Sequence, residues 1–199
     1  MKPLETPRPW LHCARCDART PFVSSDKFRV NAQKKRLDAW LVYRCAHCDQ
    51  NWNFPVLERC PVDAVEPTLL LALTENDEVL AWRYAFDVTR LSRYSLKIES
   101  SAGLSVEKRI LAPREDGPAR AEIMISAPYL CGVRLDRLLA AEIGVSRTKI
   151  DHLAKTGALV VMPSATRGLS QPARDGQRIE IDLSAIDMPL DVLYASIGG

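Results

Sequence analysis

Cys13-Ala14-Arg15-Cys16 and Cys45-Ala46-His47-Cys48 are two C-x2-C pairs with 28 residues between Cys16 and Cys45. Tetrahedral zinc with thiolate ligands needs two pairs of sulfurs from distant points of a chain, and the C-x2-C turn lets both sulfurs of a pair reach one ion. The spacing predicts one structural Zn2+ held by Cys13, Cys16, Cys45 and Cys48. Four thiolates leave no open position for a catalytic water. Arg15 and Arg44, beside the ligands, would soften the negative charge of such a centre. The competing readings are buried cysteines and a thioredoxin-like redox pair, which needs only one C-x2-C in a βαβ setting. His12 and His47 flank the knuckles and could replace a cysteine, but with four cysteines present both read as polar surface residues. Cys60 and Cys131 lack partner spacing and read as core or surface thiols.

The segment between the pairs suits a β-hairpin. Residues 28–31 and 40–43 predict two strands joined by the polar turn at residues 32–36, and Trp52, Phe54 and Val56 alternate like a third strand. Residues 1–61 are therefore expected to form a β zinc ribbon with the ligands at one end. Lys27, Arg29, Lys34, Lys35 and Arg36 cluster on that hairpin near Trp40 and Tyr43. Such a finger can grip phosphate and stack bases. The favoured expectation is a solvated tip with its aromatics in the small core, because a mini-domain needs every aromatic it has.

Residues 62–130 predict a mixed α/β connecting region. Leu70, Leu73, Leu80, Tyr84 and Leu91 recur at helical spacings, with a break near Asn76 and Asp77 where a new helix is capped. Strands are expected near residues 96–98 and 121–126, around a loop at Pro113 to Pro118. In residues 131–199, Leu135, Leu138, Leu139 and Ile143 form one stripe of a helix ending at Gly144. Ser146 caps a second helix running to Gly157. Strands follow at residues 158–162 and, after the turn Asp175-Gly176, around Ile179, Ile181 and Leu183. The fold class is α+β. With the leucine stripe inward, Arg134 and Arg137 share the outer surface. Residues 146–149 lie in a first helical turn, whose free N–H groups attract phosphate. Asp136, Glu142 and Asp151 dilute that basic face.

Arg134-Leu135-Asp136-Arg137-Leu138-Leu139, then Ser146-Arg147-Thr148-Lys149-Ile150 and Gly157-Ala158-Leu159-Val160-Val161, resemble the alpha-L RNA-binding motif, named after a small-subunit ribosomal protein of the S-four type. In that motif two short helices pack on a small β element and grip structured RNA. The resemblance covers about 50 residues and implies RNA-facing roles for Arg134, Arg137, Ser146, Arg147, Lys149 and Lys155. The chain departs from the motif after Val161, where Met162 to Gly168 replace the usual Val-Asn-Gly turn.

Together with the knuckles, residues 27–32 and 37–41, Trp52 and Asn53, and Tyr84-Ala85-Phe86-Asp87 resemble a bacterial family catalogued as domain of unknown function 1062, over nearly the full chain. That resemblance implies a zinc-ribbon start and an alpha-L-like end, and no established activity. Ser146-Arg147-Thr148-Lys149 and Lys155-Thr156-Gly157 also spell two signatures of serine penicillin-recognising enzymes. Those signatures belong to a much larger domain and here fall on one helix, so they are read as coincidence.

Composition bounds the function. The chain has 199 residues, 47% of them hydrophobic and 26% charged, and a formal net charge of +2. That is a globular protein rather than a polycation or a disordered tail. Residues 1–64 hold 11 basic and 7 acidic side chains, residues 65–130 hold 8 and 10, and residues 131–180 hold 8 and 5. Both ends are therefore basic around a mildly acidic middle. No apolar run approaches the roughly 20 residues of a membrane span, and the N-terminus lacks the apolar core of a signal peptide. The expectation is a cytoplasmic, non-enzymatic, zinc-stabilised protein that binds structured RNA, ribosomal or transfer RNA in particular, with no membrane and no small-molecule substrate. The alternative is a protein-interaction adaptor built on the zinc ribbon.

Overall fold

The computed structural model describes residues 1–100, 103–109, 120–163 and 168–187. The chain divides into two compact units, Leu4–Gly103 and Met1–Pro3 with Leu104–Gly199. It is a mixed α+β protein.

In the first unit, strands β2 (Arg8–Cys13), β3 (Ala18–Gln33), β4 (Arg36–Cys45), β5 (Asn51–Pro61) and β6 (Ile98–Glu99) form one sheet, ordered β5-β4-β3-β2-β6 with antiparallel pairing throughout. The three strands expected from the sequence thus belong to a five-stranded sheet. Strand β3 begins ten residues before Phe28, because Ser24, Ser25 and Asp26 do not end it. Ser25 and Asp26 form a bulge between the pairs Ser24↔Tyr43 and Lys27↔Val42, with Asp26 at φ 55°. A bulge inserts residues without breaking the ladder.

One face of this sheet is the core. Phe22, Phe28, Leu41, Tyr43 and Phe54 are buried there with Leu73 of α1 (Pro67–Glu75), Leu80 and Ala81 of α2 (Glu78–Ala85), and Leu91 of α3 (Val88–Leu91). The break between α1 and α2 falls where the sequence places it. Asn76 closes α1 in the left-handed region at φ 58°, and its Oδ1 accepts a hydrogen bond from the Phe28 amide at 2.7 Å, fixing the helix end to β3. Asp77 caps α2 by accepting from the Leu80 amide at 2.7 Å. Arg90 ties α3 to β5: its Nη2 donates to the Pro55 and Val56 carbonyls at 2.9 and 3.2 Å, and its guanidinium lies 5.7 Å from the Phe54 ring centre.

In the second unit, β1 (Lys2–Pro3) pairs with β7 (Leu104–Ser105), and β8 (Arg120–Met124), β9 (Leu159–Met162) and β10 (Arg178–Asp182) form an antiparallel sheet ordered β8-β10-β9. Helices α4 (Leu135–Ile143) and α5 (Arg147–Lys155) bury Leu135, Leu139, Ile143, Ile150 and Leu153 with Ile179 and Ile181 of β10. Gly144 stops α4 at φ 80°, a conformation that a residue with a Cβ adopts only under strain. The Ser146 Oγ accepts from the Lys149 amide at 3.1 Å and caps α5. The loop expected at Pro113 to Pro118 and most of the segment replacing the Val-Asn-Gly turn lie outside the described residues.

Candidate metal centre and cationic helix pair

The two C-x2-C segments are the tips of two hairpins at one end of the first sheet. Cys13 ends β2 and Cys16 lies in the turn before β3; Cys45 ends β4 and Cys48 lies in the turn before β5. Each turn closes on an aspartate with positive φ, Asp17 at 49° and Asp49 at 61°. The Asp49 amide donates to the Cys45 carbonyl at 3.0 Å, and the Ala46 amide to the Pro21 carbonyl at 2.9 Å, which docks the second knuckle on β3.

The four Sγ atoms all lie within 4.8 Å of one another, with Cys13 and Cys48 3.5 Å apart and Cys16 and Cys45 3.9 Å apart. A metal–sulfur bond of about 2.3 Å in a tetrahedron puts the sulfurs about 3.8 Å apart, so this spacing is compatible with a metal site. Cys13 and Cys45 are buried, and Cys16 and Cys48 partly so. Burial raises the Cys45 thiol, but donors outweigh it. The Thr20 hydroxyl at 3.2 Å and the His47 amide at 3.5 Å help lower it to about 6. Cys16 is pushed up to about 12, first by its hydrogen bond with Cys48 and then by burial. Thr20 was not marked by spacing or motif; register alone brings it to Cys45. His12 points to solvent and pairs weakly with Asp17 at 3.8 Å, outside the sulfur cluster. The Arg15 Nη1 donates to the Cys48 carbonyl at 3.3 Å and braces one knuckle against the other.

The second cluster joins the N-termini of α4 and α5. Asp136 is 2% exposed and accepts from Arg134 Nε and Nη2 at 3.1 and 2.8 Å, from Arg147 Nε and Nη2 at 3.2 and 2.7 Å, and from the Arg137 amide at 2.8 Å. Burial opposes its ionisation, but these donors hold its carboxyl below the usual carboxylate range. The two arginine side chains remain 48% and 54% exposed. Each spends Nε and Nη2 on Asp136, and neither Nη1 has a hydrogen-bond acceptor among the described residues.

Of the six positions expected to face RNA, Arg134 and Arg147 are therefore brought together. Arg137 is exposed on the outer face of α4, Ser146 is engaged as a cap, and Lys149 is partly buried in the first turn of α5. Lys155 occupies the last turn of α5, about 12 Å along the axis from Arg147 at 1.5 Å per residue. The sequence reading missed Asp136, counting it as a dilution of positive charge.

A mixed α+β fold with a four-cysteine cluster defines the class. Residues 30–165 match the family described as Protein of unknown function (DUF1062), and the chain belongs to that family. No curated protein and no solved structure matches the chain. No helix among the described residues is long and apolar enough to cross a membrane.

Proposed function

We propose that this chain is a non-enzymatic, zinc-stabilised protein that binds structured RNA in the cytoplasm. The observation that carries the reading is the Arg134–Asp136–Arg147 arrangement. A buried carboxylate holds two guanidinium groups side by side at the solvent boundary, where two helix N-termini meet. The three side chains together carry one net positive charge, and the unfilled Nη1 donors and the helix ends favour a phosphate. Arg137, Lys149 and Lys155 extend the cationic surface, in the manner of the alpha-L motif that the sequence resembles. Shape and backbone contacts, rather than base reading, suit double-stranded or folded RNA.

Cys13, Cys16, Cys45 and Cys48 would hold Zn2+ in a zinc-ribbon-like arrangement. Four soft thiolates at tetrahedral spacing suit zinc, and a closed set makes the ion a structural clasp between hairpins. Elemental analysis of the purified protein tests this: about one zinc per chain supports it, and iron or metal-free thiols contradict it.

RNA crosslinking in the native host tests the main reading. Enrichment of one ribosomal or transfer RNA region that disappears when Arg134, Asp136 and Arg147 are neutralised together supports it. Unchanged crosslinking contradicts it. A protein-adaptor role is favoured by a separate observation, the exposed Leu71 on α1 and Val79 on α2, at 56% and 62%. Salt-insensitive co-purification with one protein, free of RNA, would select that reading.

A further inference from the structure

The five-stranded sheet of Leu4–Gly103 has a second face. Alternation along β3 and β4 sends Phe28, Leu41 and Tyr43 to the core, and the pairs Lys27↔Val42, Arg29↔Trp40 and Val23↔Arg44 to the other side. On β5 the same side receives Asn53 opposite Val42 and Asn51 opposite Arg44. Trp40 thus parts company with Tyr43, Trp52 and Phe54, which contact one another around the core. It is partly exposed, belongs to no ring pair among the described residues, and has the Arg29 guanidinium 6.0 Å from its centre. The expectation that Trp40 is a core aromatic is therefore not met.

Cations share this face of the sheet with the ring. Lys27, Arg29 and Arg44 are exposed, and none forms an ion pair among the described residues. Asp38, two residues from Trp40 on β4, accepts from the Arg59 amide at 2.7 Å, and Asp26 in the β3 bulge accepts from the Ser24 hydroxyl at 2.9 Å. Lys27 and Arg29 are successive outward residues of β3, about 7 Å apart. Positive charge and a partly exposed indole, with the movable Arg29 guanidinium over it, together match a polyanion with unstacked bases.

We propose that this sheet face binds single-stranded RNA, with one base stacked on Trp40, phosphates met by Lys27, Arg29 and Arg44, and the Asn51 and Asn53 amides beside the sugar edge. The choice of RNA over DNA rests on the RNA reading of α4 and α5; the platform itself does not. A duplex cannot offer a base face to Trp40, so this surface and the helix pair select different forms of nucleic acid.

The test uses the full chain and a fluorescein-labelled ten-residue oligouridylate, with binding followed by anisotropy over a salt series. Trp40→Ala is expected to weaken binding by roughly 5- to 100-fold, and Trp40→Phe to retain most of it. Lys27→Gln with Arg29→Gln, which touches no core side chain, should reduce the salt slope by about 1.4. On a background with Arg134, Asp136 and Arg147 neutralised together, Trp40→Ala should still weaken oligouridylate binding, which separates this proposal from the helix-pair reading. Wild-type affinity in Trp40→Ala and in the Lys27/Arg29 variant would overturn the proposal. So would absence of wild-type binding, or RNA-free capture of a protein that Trp40→Ala abolishes. Equal affinity for the matching oligothymidylate would overturn the choice of RNA.

Discussion

Arg147 donates from Nε and Nη2 to a single oxygen of Asp136, at 3.2 and 2.7 Å, across eleven residues of chain. The contact joins the first residue of α5 to the first turn of α4, so one buried carboxylate sets the positions of Arg147 and Arg134 together. Removing the acid separates position from charge. Asp136→Asn adds one unit of positive charge to the surface yet releases both guanidinium groups. If position matters, affinity for structured RNA falls severalfold; if bulk charge were enough, it would rise. The same substitution should lower stability by about 1–3 kcal/mol, because the charge-assisted bonds at a buried group are lost.

Acid titration offers a second check on Asp136. Its carboxyl lies below the ordinary value in the folded protein, with the Arg134 and Arg147 hydrogen bonds outweighing the burial that opposes ionisation. A depressed folded value means that the stabilisation is present above the unfolded value of about 3.9 and is lost as pH falls through the folded one. Urea melts of wild type and Asp136→Asn should differ by a constant amount above about pH 5, and the difference should shrink below about pH 4. A pH-independent difference would show that the pair carries no ionic contribution. Reading the difference cancels the acid sensitivity of the four-thiol cluster.

Metal removal should act on the sheet rather than on the helix pair. With a metal bound as proposed, the knuckles would clasp the β2–β3 and β4–β5 hairpins at one end, so a chelator that strips it should cost several kcal/mol of stability in Leu4–Gly103. Cys45→Ser should do the same, since Cys45 is buried and also receives the Thr20 hydroxyl. Near-ultraviolet circular dichroism reports Tyr43 and Trp52, which pack at 5.3 Å beside this end. Signals unchanged by chelation would count against a clasping metal.

The β3–β4 turn contains an avoidable strain. Gln33 pairs with Arg36, leaving Lys34 and Lys35 as the two loop residues, at φ 49° and 61°. Two positive φ values define a turn that favours Asn-Gly, and lysine is poorly suited to both places. Lys34→Asn with Lys35→Gly should stabilise the protein by about 1–2 kcal/mol in thermal melts. An unchanged or lower Tm would show that the lysines make compensating contacts.

Much of this architecture is legible in the sequence wherever a local signal has one physical meaning. The C-x2-C spacing brings four sulfurs together, Gly144 and Ser146 mark the ends of α4 and α5, and Asp77 caps α2. The early part of β3 was illegible because Ser24-Ser25-Asp26 has turn composition, and only pairing with β4 makes Ser25 and Asp26 a bulge. Asp136 was misread for a related reason. Its neighbours in sequence suggest a solvated acid, whereas its burial depends on a second helix eleven residues away. Trp40 was within reach: Ala39, Leu41, Tyr43 and Cys45 are the buried alternates of β4, and strict period two puts Trp40 outside.

The central claim is that Arg134 and Arg147 engage RNA phosphates. Replacing either arginine alone would leave Asp136 still bonded to the other guanidinium and to the Arg137 amide, so the informative variant neutralises all three groups with near-isosteric side chains: Arg134→Gln, Asp136→Asn and Arg147→Gln. The decisive measurement is the dependence of affinity for a structured RNA on salt, in wild type and in this triple variant. The account predicts weaker binding at every salt concentration and a log–log slope shallower by roughly one, the single net positive charge that the three groups lose together. Equal affinity with an equal slope would contradict it.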